Sequence, residues 1–231
     1  MVKKIEEGYE IVTSGYRINN SNKKVLLKKK NYLVGDDLKT YLETLKKHDL
    51  FNEIWNKIYL REVIKKHNLQ FNEELDLGED FIFNLSYLFY ISKAGYINEA
   101  LYIYNDGQNG LKLKYREDRF SIEYSLTKDL EEFYNVKGYT KEYIYNRIAW
   151  TYYRGVVNIY NKNNKISKQD KNKKLDEFIN SNQYKTDLKE IQNKLTDKRF
   201  IFVVNHILLK DKFRIKMFIF LNKLRNRFKG V

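Results

Sequence analysis

Cysteine and proline are both missing from this chain; glycine occurs only ten times in 231 residues and histidine three times. Without cysteine there is no disulfide, no thiolate metal site and no cysteine nucleophile, in keeping with a reducing compartment. Without proline the strongest interruption of helices is gone, so long helices are favoured. The histidines, His48, His67 and His206, lie far apart and show no ligand spacing, so no metal site is expected from them. No apolar run approaches the about 18 residues that span a bilayer. The opening residues, MVKKIEEGYEIV, hold no apolar stretch of signal-peptide length. The sequence therefore predicts a protein made and kept on the cytoplasmic side.

What is present is apolar area and an uneven charge. Twenty tyrosines, fourteen phenylalanines and a hydrophobic content of 42% can bury a real core, which predicts one domain, or one with a smaller extension. Residues 1–139 carry 22 Lys and Arg against 22 Asp and Glu, whereas residues 140–231 carry 22 against 8. The whole net charge of +14 thus sits in the carboxyl-terminal part. That part should face something anionic: lipid headgroups, a charged glycan or nucleic acid. Zinc-finger spacing, an RNP-like run and a clear helix-turn-helix are all missing, which puts nucleic acid behind the other two.

Along the chain, Tyr9 to Ile18 reads as a strand, and the polar turn NNSNKK before KVLLKKK predicts a hairpin. Gly35-Asp36-Asp37 precedes Leu38, Tyr41, Leu42 and Leu45 at helical spacing, so the aspartates are read as cap and first-turn acids, not as a metal pair. Leu60 to His67 predicts a short helix. Glu79 to Ile91 predicts a longer one, apolar on nearly every face and so buried. Tyr96 to Tyr104 reads as a strand broken by NDGQNG, and helices are expected over Arg116 to Tyr134 and Lys141 to Tyr160. Asn161 to Lys174 is almost wholly polar, a flexible linker or an exposed helix end. From Phe200 on, Met217, Phe218, Leu221, Leu224 and Phe228 share a helical stripe ringed by basic residues. Either that stripe packs in a core, or residues 200–231 dock on a membrane surface.

The segment Phe51 to Asn84 carries the chemistry. It runs Trp55-Asn56-Lys57-Ile58-Tyr59, then a short helix, then F-N-E-E-L-x-L-G-E-D-F-x-F-N with the paired acids Glu79 and Asp80. In this order the motifs resemble the acceptor-side half of the family 2 glycosyltransferases, inverting enzymes of GT-A type that build surface polysaccharide and lipopolysaccharide. The resemblance covers residues 9–135. It implies an α/β fold, here an incomplete GT-A-like region of few strands over residues 1–139, followed by a mostly α-helical basic extension over 140–231 with a polar linker near 161–174.

The resemblance also implies roles. The second acid of the E-D pair, Asp80, would take the proton from an acceptor hydroxyl, with Glu79 beside it. At a helix start the backbone amides are expected to hold Asp80 ionised, and Asn84, one turn on, to orient it. Trp55, Asn56 and Lys57 would line the acceptor and diphosphate side, the indole stacking on a sugar ring and the lysine pairing with phosphate. On residues alone, Glu79 and Asp80 also read as first-turn acids, Trp55 as a core aromatic and Lys57 as a surface charge.

Two departures from the family pattern bear on activity. There is no D-x-D to bind a divalent ion on a nucleotide diphosphate, and no glycine-rich phosphate loop. Where the family carries an arginine, a histidine and a serine after its late strand, this chain has Asn105, Gly107 and Gly110. The chain as it stands is therefore expected to be inactive alone and to hold no cofactor. A nucleotide-sugar and Mg or Mn enter only if a donor half is supplied, by a separate polypeptide for instance. The expected partners are a glycan or lipid-linked acceptor and an anionic membrane. A non-catalytic membrane-surface scaffold using the basic tail is the alternative reading.

Overall fold

In a computed structural model of the chain, residues 1–19, 23–27, 34–35, 37–105, 115–161 and 163–228 are described, side chains as far as Leu221. Two compact units emerge, one of Met1–Lys112 with Asn135–Tyr139, the other of Leu113–Tyr134 with Thr140–Val231. Most of the predicted helix after Arg116 thus belongs to the second unit, not to the 1–139 region assigned from sequence.

The first unit is built on β1, Ile11–Ile18, whose residues from Ile11 to Tyr16 are all buried. It pairs antiparallel with β2, Lys24–Val25, closing the predicted hairpin, and with β4, Lys57–Tyr59. Its parallel neighbour is β5, Ala94–Tyr104, which also carries β3, Val34–Gly35, antiparallel. A strand with partners on both sides and cover on both faces is buried throughout, and its two polar residues are satisfied there: Thr13 pairs with the Tyr41 hydroxyl and Ser14 donates to the Asn56 carbonyl. The β1–β5 register shifts around Gly15, where an added Cβ would lie 2.6 Å from the carbonyl oxygen of Val25. Only glycine lets that backbone approach so closely.

Helices flank the sheet. A short α1, Val2–Glu6, precedes it; α2 spans Leu38–Lys47, α3 Arg61–Lys66 and α4 Glu79–Phe89. The capping role of Asp37 is observed: its carboxylate accepts the Thr40 amide at 2.9 Å. Asp36 lies outside the described residues. The core-facing character of α4 is also observed, with Phe81, Phe83, Leu85, Tyr87 and Leu88 buried.

The second unit is helical: α5, Arg119–Val136, α6, Glu142–Ile159, α7, Lys168–Asn180, α8, Asn182–Ile191, α9, Lys198–Leu208, and α10, Lys212–Phe228. A threonine pair, Thr127 and Thr151, joins α5 to α6 at 2.9 Å. The hydroxyls of Tyr124 and Tyr152 both donate to Asp187 of α8, at 2.6 and 2.9 Å. Of the two sequence readings of Asn161–Lys174, the helix end is the one found. Residues 168–174 form the first turns of α7, capped where Ser167 Oγ accepts the Asp170 amide at 3.0 Å.

The stripe predicted on the last helix is divided between its two faces. Ile215 and Ile219 are its buried residues, and Phe218 stacks on Phe202 at 5.0 Å. Met217 and Leu221 are exposed, while the side chains of Leu224 and Phe228 lie outside the described set.

Candidate functional site

Two residues before the predicted base, the chain turns sharply enough to start a helix. Gly78 caps α4 with φ +97°, a conformation that side-chain-bearing residues avoid, and Glu79 and Asp80 then form the first turn. Acids suit that turn because the unsatisfied amides there carry partial positive charge. Yet the net effect on Asp80 is the reverse of the expected one. Half-burial, then the neighbouring charges of Glu79 and Glu53, push its carboxyl above the ordinary aspartate range, with Lys57 pulling the other way. Desolvation and like charge outweigh the helix amides, and the result is a better proton acceptor.

The loop Phe51–Asn56 faces this helix start, and three of the predicted site residues hold it there. Asn84 is fully buried; its amide donates to the carbonyls of Phe51 and Asn52 at 2.9 and 3.0 Å and accepts the Tyr59 hydroxyl at 2.6 Å. Its capacity is spent on the loop, so it does not orient Asp80 directly. Asn56, also buried, donates to the carbonyls of Ser14 and Leu50, each at 3.2 Å, and thereby ties the loop to β1.

Lys57 is not a surface charge. It is buried, and its ammonium donates to the Leu50 carbonyl and to Asn56 Oδ1, each at 2.9 Å, and to the Glu53 carbonyl. Three donors meet three protein oxygens, which leaves none for a phosphate. Burial pushes its pKa down to about 7, against the pull of Glu53 and Asp80.

Trp55 projects from the same loop and is half-buried. Its indole stacks on Tyr102 at 4.3 Å and on Tyr104 at 5.3 Å, and Tyr16 meets it edge-on at 4.9 Å. The result is an aromatic platform on β1 and β5. The loop also meets α4 through Phe51 and Phe81, 5.9 Å apart, with the Lys46 ammonium 4.4 Å over the Phe81 ring.

The structure thus brings Asp80, Glu79, Glu53 and Lys57 into one electrostatic group, with Trp55 two residues from the last. Sequence reasoning missed Glu53, Tyr59, Tyr102 and Tyr104. Glu53 sat two residues before the tryptophan, and the two tyrosines share a face of β5 by simple alternation. One carboxylate oxygen of Glu79 is buried and accepts no hydrogen bond among the described residues. Among those residues no cluster of three or more His, Asp or Glu can hold a metal ion. Asn105 accepts a 2.7 Å bond from Asn19, while Gly107 and Gly110 lie outside the described residues.

Comparison with known proteins bears on the fold. Neither a known family model nor a curated protein matches the chain. Among solved structures, it is similar to Staphylococcus aureus TarS, fragment 1–349, in complex with UDP-GlcNAc. The identity is 13%, the TM-score 0.59, and the match covers 98% of this chain and 62% of that one. The same fragment in complex with UDP matches at 14% identity and a TM-score of 0.55, again over 98% of this chain and 61% of the other. The chain therefore spans somewhat under two thirds of the TarS fragment it matches, and the fold it shares with that fragment is an α/β region with a helical extension.

Proposed function

We propose that this chain is the acceptor-side part of a nucleotide-sugar-dependent inverting glycosyltransferase of the family 2 type, working in cell-surface glycan synthesis from the cytoplasmic side. The observation that carries the reading is the fold shared, across nearly the whole chain, with a protein crystallised with UDP-GlcNAc. The Trp55-Asn56-Lys57 and Gly78-Glu79-Asp80-Phe81 motifs support it, as does the raised basicity of Asp80. In the reaction, an acceptor hydroxyl forms a bond to the anomeric carbon as the nucleotide diphosphate leaves from the opposite face. The hydroxyl proton passes to Asp80. Trp55 offers its indole to a sugar ring. Asn56, Lys57 and Asn84 act behind them by holding the loop. The donor, with whatever compensates its diphosphate charge, is bound by chain outside these 231 residues.

Two measurements test this. On an array of bacterial surface glycans, the chain should bind at least one acceptor class. Trp55→Ala should weaken that binding about tenfold or more, and Asp80→Asn should leave it nearly unchanged. Binding to no glycan overturns the acceptor role. With UDP-GlcNAc and Mn, the chain alone should release no UDP; turnover would overturn the assignment of the donor site to another segment.

A further inference from the structure

We propose that α10 seats the protein on an anionic lipid bilayer, lying in the plane of the interface on the face turned away from its own core. The proposal stands on the second unit alone and is independent of the sugar-transfer reading.

The inward face of α10 is fixed by Ile215 and Ile219, 3% and 5% exposed, and by Phe218 on Phe202. At about 100° per residue, Phe213, Met217, Phe220 and Leu221 fall on the opposite side. They are exposed as that placement requires: 76%, 42%, 60% and 53%. A continuous outward apolar face of two phenylalanines, a methionine and a leucine is not what a solvated helix back presents. By the same angles Arg214 lies along one border and Lys216 along the other. The sequence keeps this order through the remaining turns, with Leu224 and Phe228 in the apolar register and Lys223, Arg225 and Arg227 in the flanking ones. Residues 198–231 contain ten lysines and arginines and a single acid, Asp211.

Apolar residues bordered on both sides by cations match one environment. The acyl boundary of a bilayer takes the apolar face, about 5–10 Å deep, and anionic headgroups meet both basic borders. A second copy of the chain is a poor occupant, because it would bring two basic rims together with almost no acid between them. Nucleic acid would use the cations but leaves the phenylalanines without a purpose. Among the described residues no helix is long and apolar enough to cross a membrane, which matches a helix that lies flat.

The test is cosedimentation of the full chain with vesicles of phosphatidylcholine alone, or with about a quarter phosphatidylglycerol. Binding should require the anionic lipid and fall as salt rises. Phe213→Ser with Phe220→Ser should lower partitioning about tenfold or more, with helix content by circular dichroism unchanged because both rings are exposed. Lys216→Glu with Lys223→Glu should lower it about tenfold on anionic vesicles only. The proposal is overturned by no cosedimentation at low salt, or by binding indifferent to the phenylalanine pair. It is equally overturned if that pair abolishes a concentration-dependent dimer in sedimentation velocity, or binding to RNA, in place of vesicle binding. None of these outcomes touches the assignment of Asp80.

Discussion

The stability of the wild-type chain should rise with pH between about pH 7 and 9, and replacing Lys57 by methionine should flatten that rise. The lysine is buried and its folded-state pKa is depressed to about 7 from an ordinary value of 10.5. Between those values the unfolded chain binds more protons than the folded one, so stability increases as pH rises. Below the folded value, the fold carries the full cost of a buried ammonium. Integrating the linkage relation from pH 7 to pH 9 gives a gain of about 2 kcal/mol. Methionine fills a similar volume and cannot titrate. It also leaves Asn56 Oδ1 and the Glu53 carbonyl without their donor, so its deficit against wild type should be largest at the alkaline end. Urea unfolding of the two proteins, followed by circular dichroism at several pH values, reads the difference directly. Parallel pH profiles, or a wild type whose stability falls over this interval, would refute the argument that Lys57 is buried with its proton in competition with desolvation.

Three other substitutions probe the frame. Gly155→Ala should destabilise the second unit by about 1–3 kcal/mol, because the new methyl would come within 2.5 Å of Phe120 and 2.9 Å of Phe178; a gain of about 1 kcal/mol from helix propensity alone would contradict this. Asp37→Ala should cost about 1 kcal/mol through the lost cap. Hydrogen bonds from Thr40 hold that carboxyl below its usual range, so the deficit should shrink in acid as the wild-type group protonates, which a pH series of melts would show. Asp80→Asn should stabilise the chain at neutral pH by less than about 1 kcal/mol. Burial and the charges of Glu79 and Glu53 disfavour the ionised aspartate, and the gain should vanish in acid, where wild-type Asp80 is protonated too.

Local pattern carried much of this structure. The strand character of YEIVTSGYRI marked β1, the aspartates ahead of the Leu38, Tyr41, Leu42 and Leu45 spacing marked the cap of α2, and the all-round apolar character after Glu79 marked a buried helix. Strands of two or three residues, such as β3 and β4, are too short for any period to show. The start of α7 hid among lysines and asparagines because Leu175 and Ile179 are its only buried residues. On α10, two isoleucines among many apolar residues decide which face turns inward, and only the neighbouring helices reveal which pair it is. At the site, the positions of Trp55, Glu79 and Asp80 were legible as motifs. The burial of Lys57 was not, because the three oxygens that satisfy it come from the backbone and one amide of its own loop. Lysine is among the residues least often buried, so sequence argues against what the fold does here.

That burial bears on what the junction between the loop and α4 can accept. Three carboxylates, Glu53, Glu79 and Asp80, gather where Lys57 supplies an opposing charge that pulls the Asp80 carboxyl down. The lysine faces inward to carbonyls, so it softens the local field without presenting a proton to a ligand. As pH rises past about 7, Lys57 loses charge and its pull on Asp80 weakens, so the two titrations are linked and the carboxylate becomes more basic as the lysine becomes neutral. A negative junction of this kind repels a nucleotide diphosphate and favours a neutral hydroxyl that can hand over a proton. On the sugar-transfer reading, this is the electrostatics of an acceptor side. The positive charge that a diphosphate requires must then come from the donor side, which is also where the missing D-x-D points.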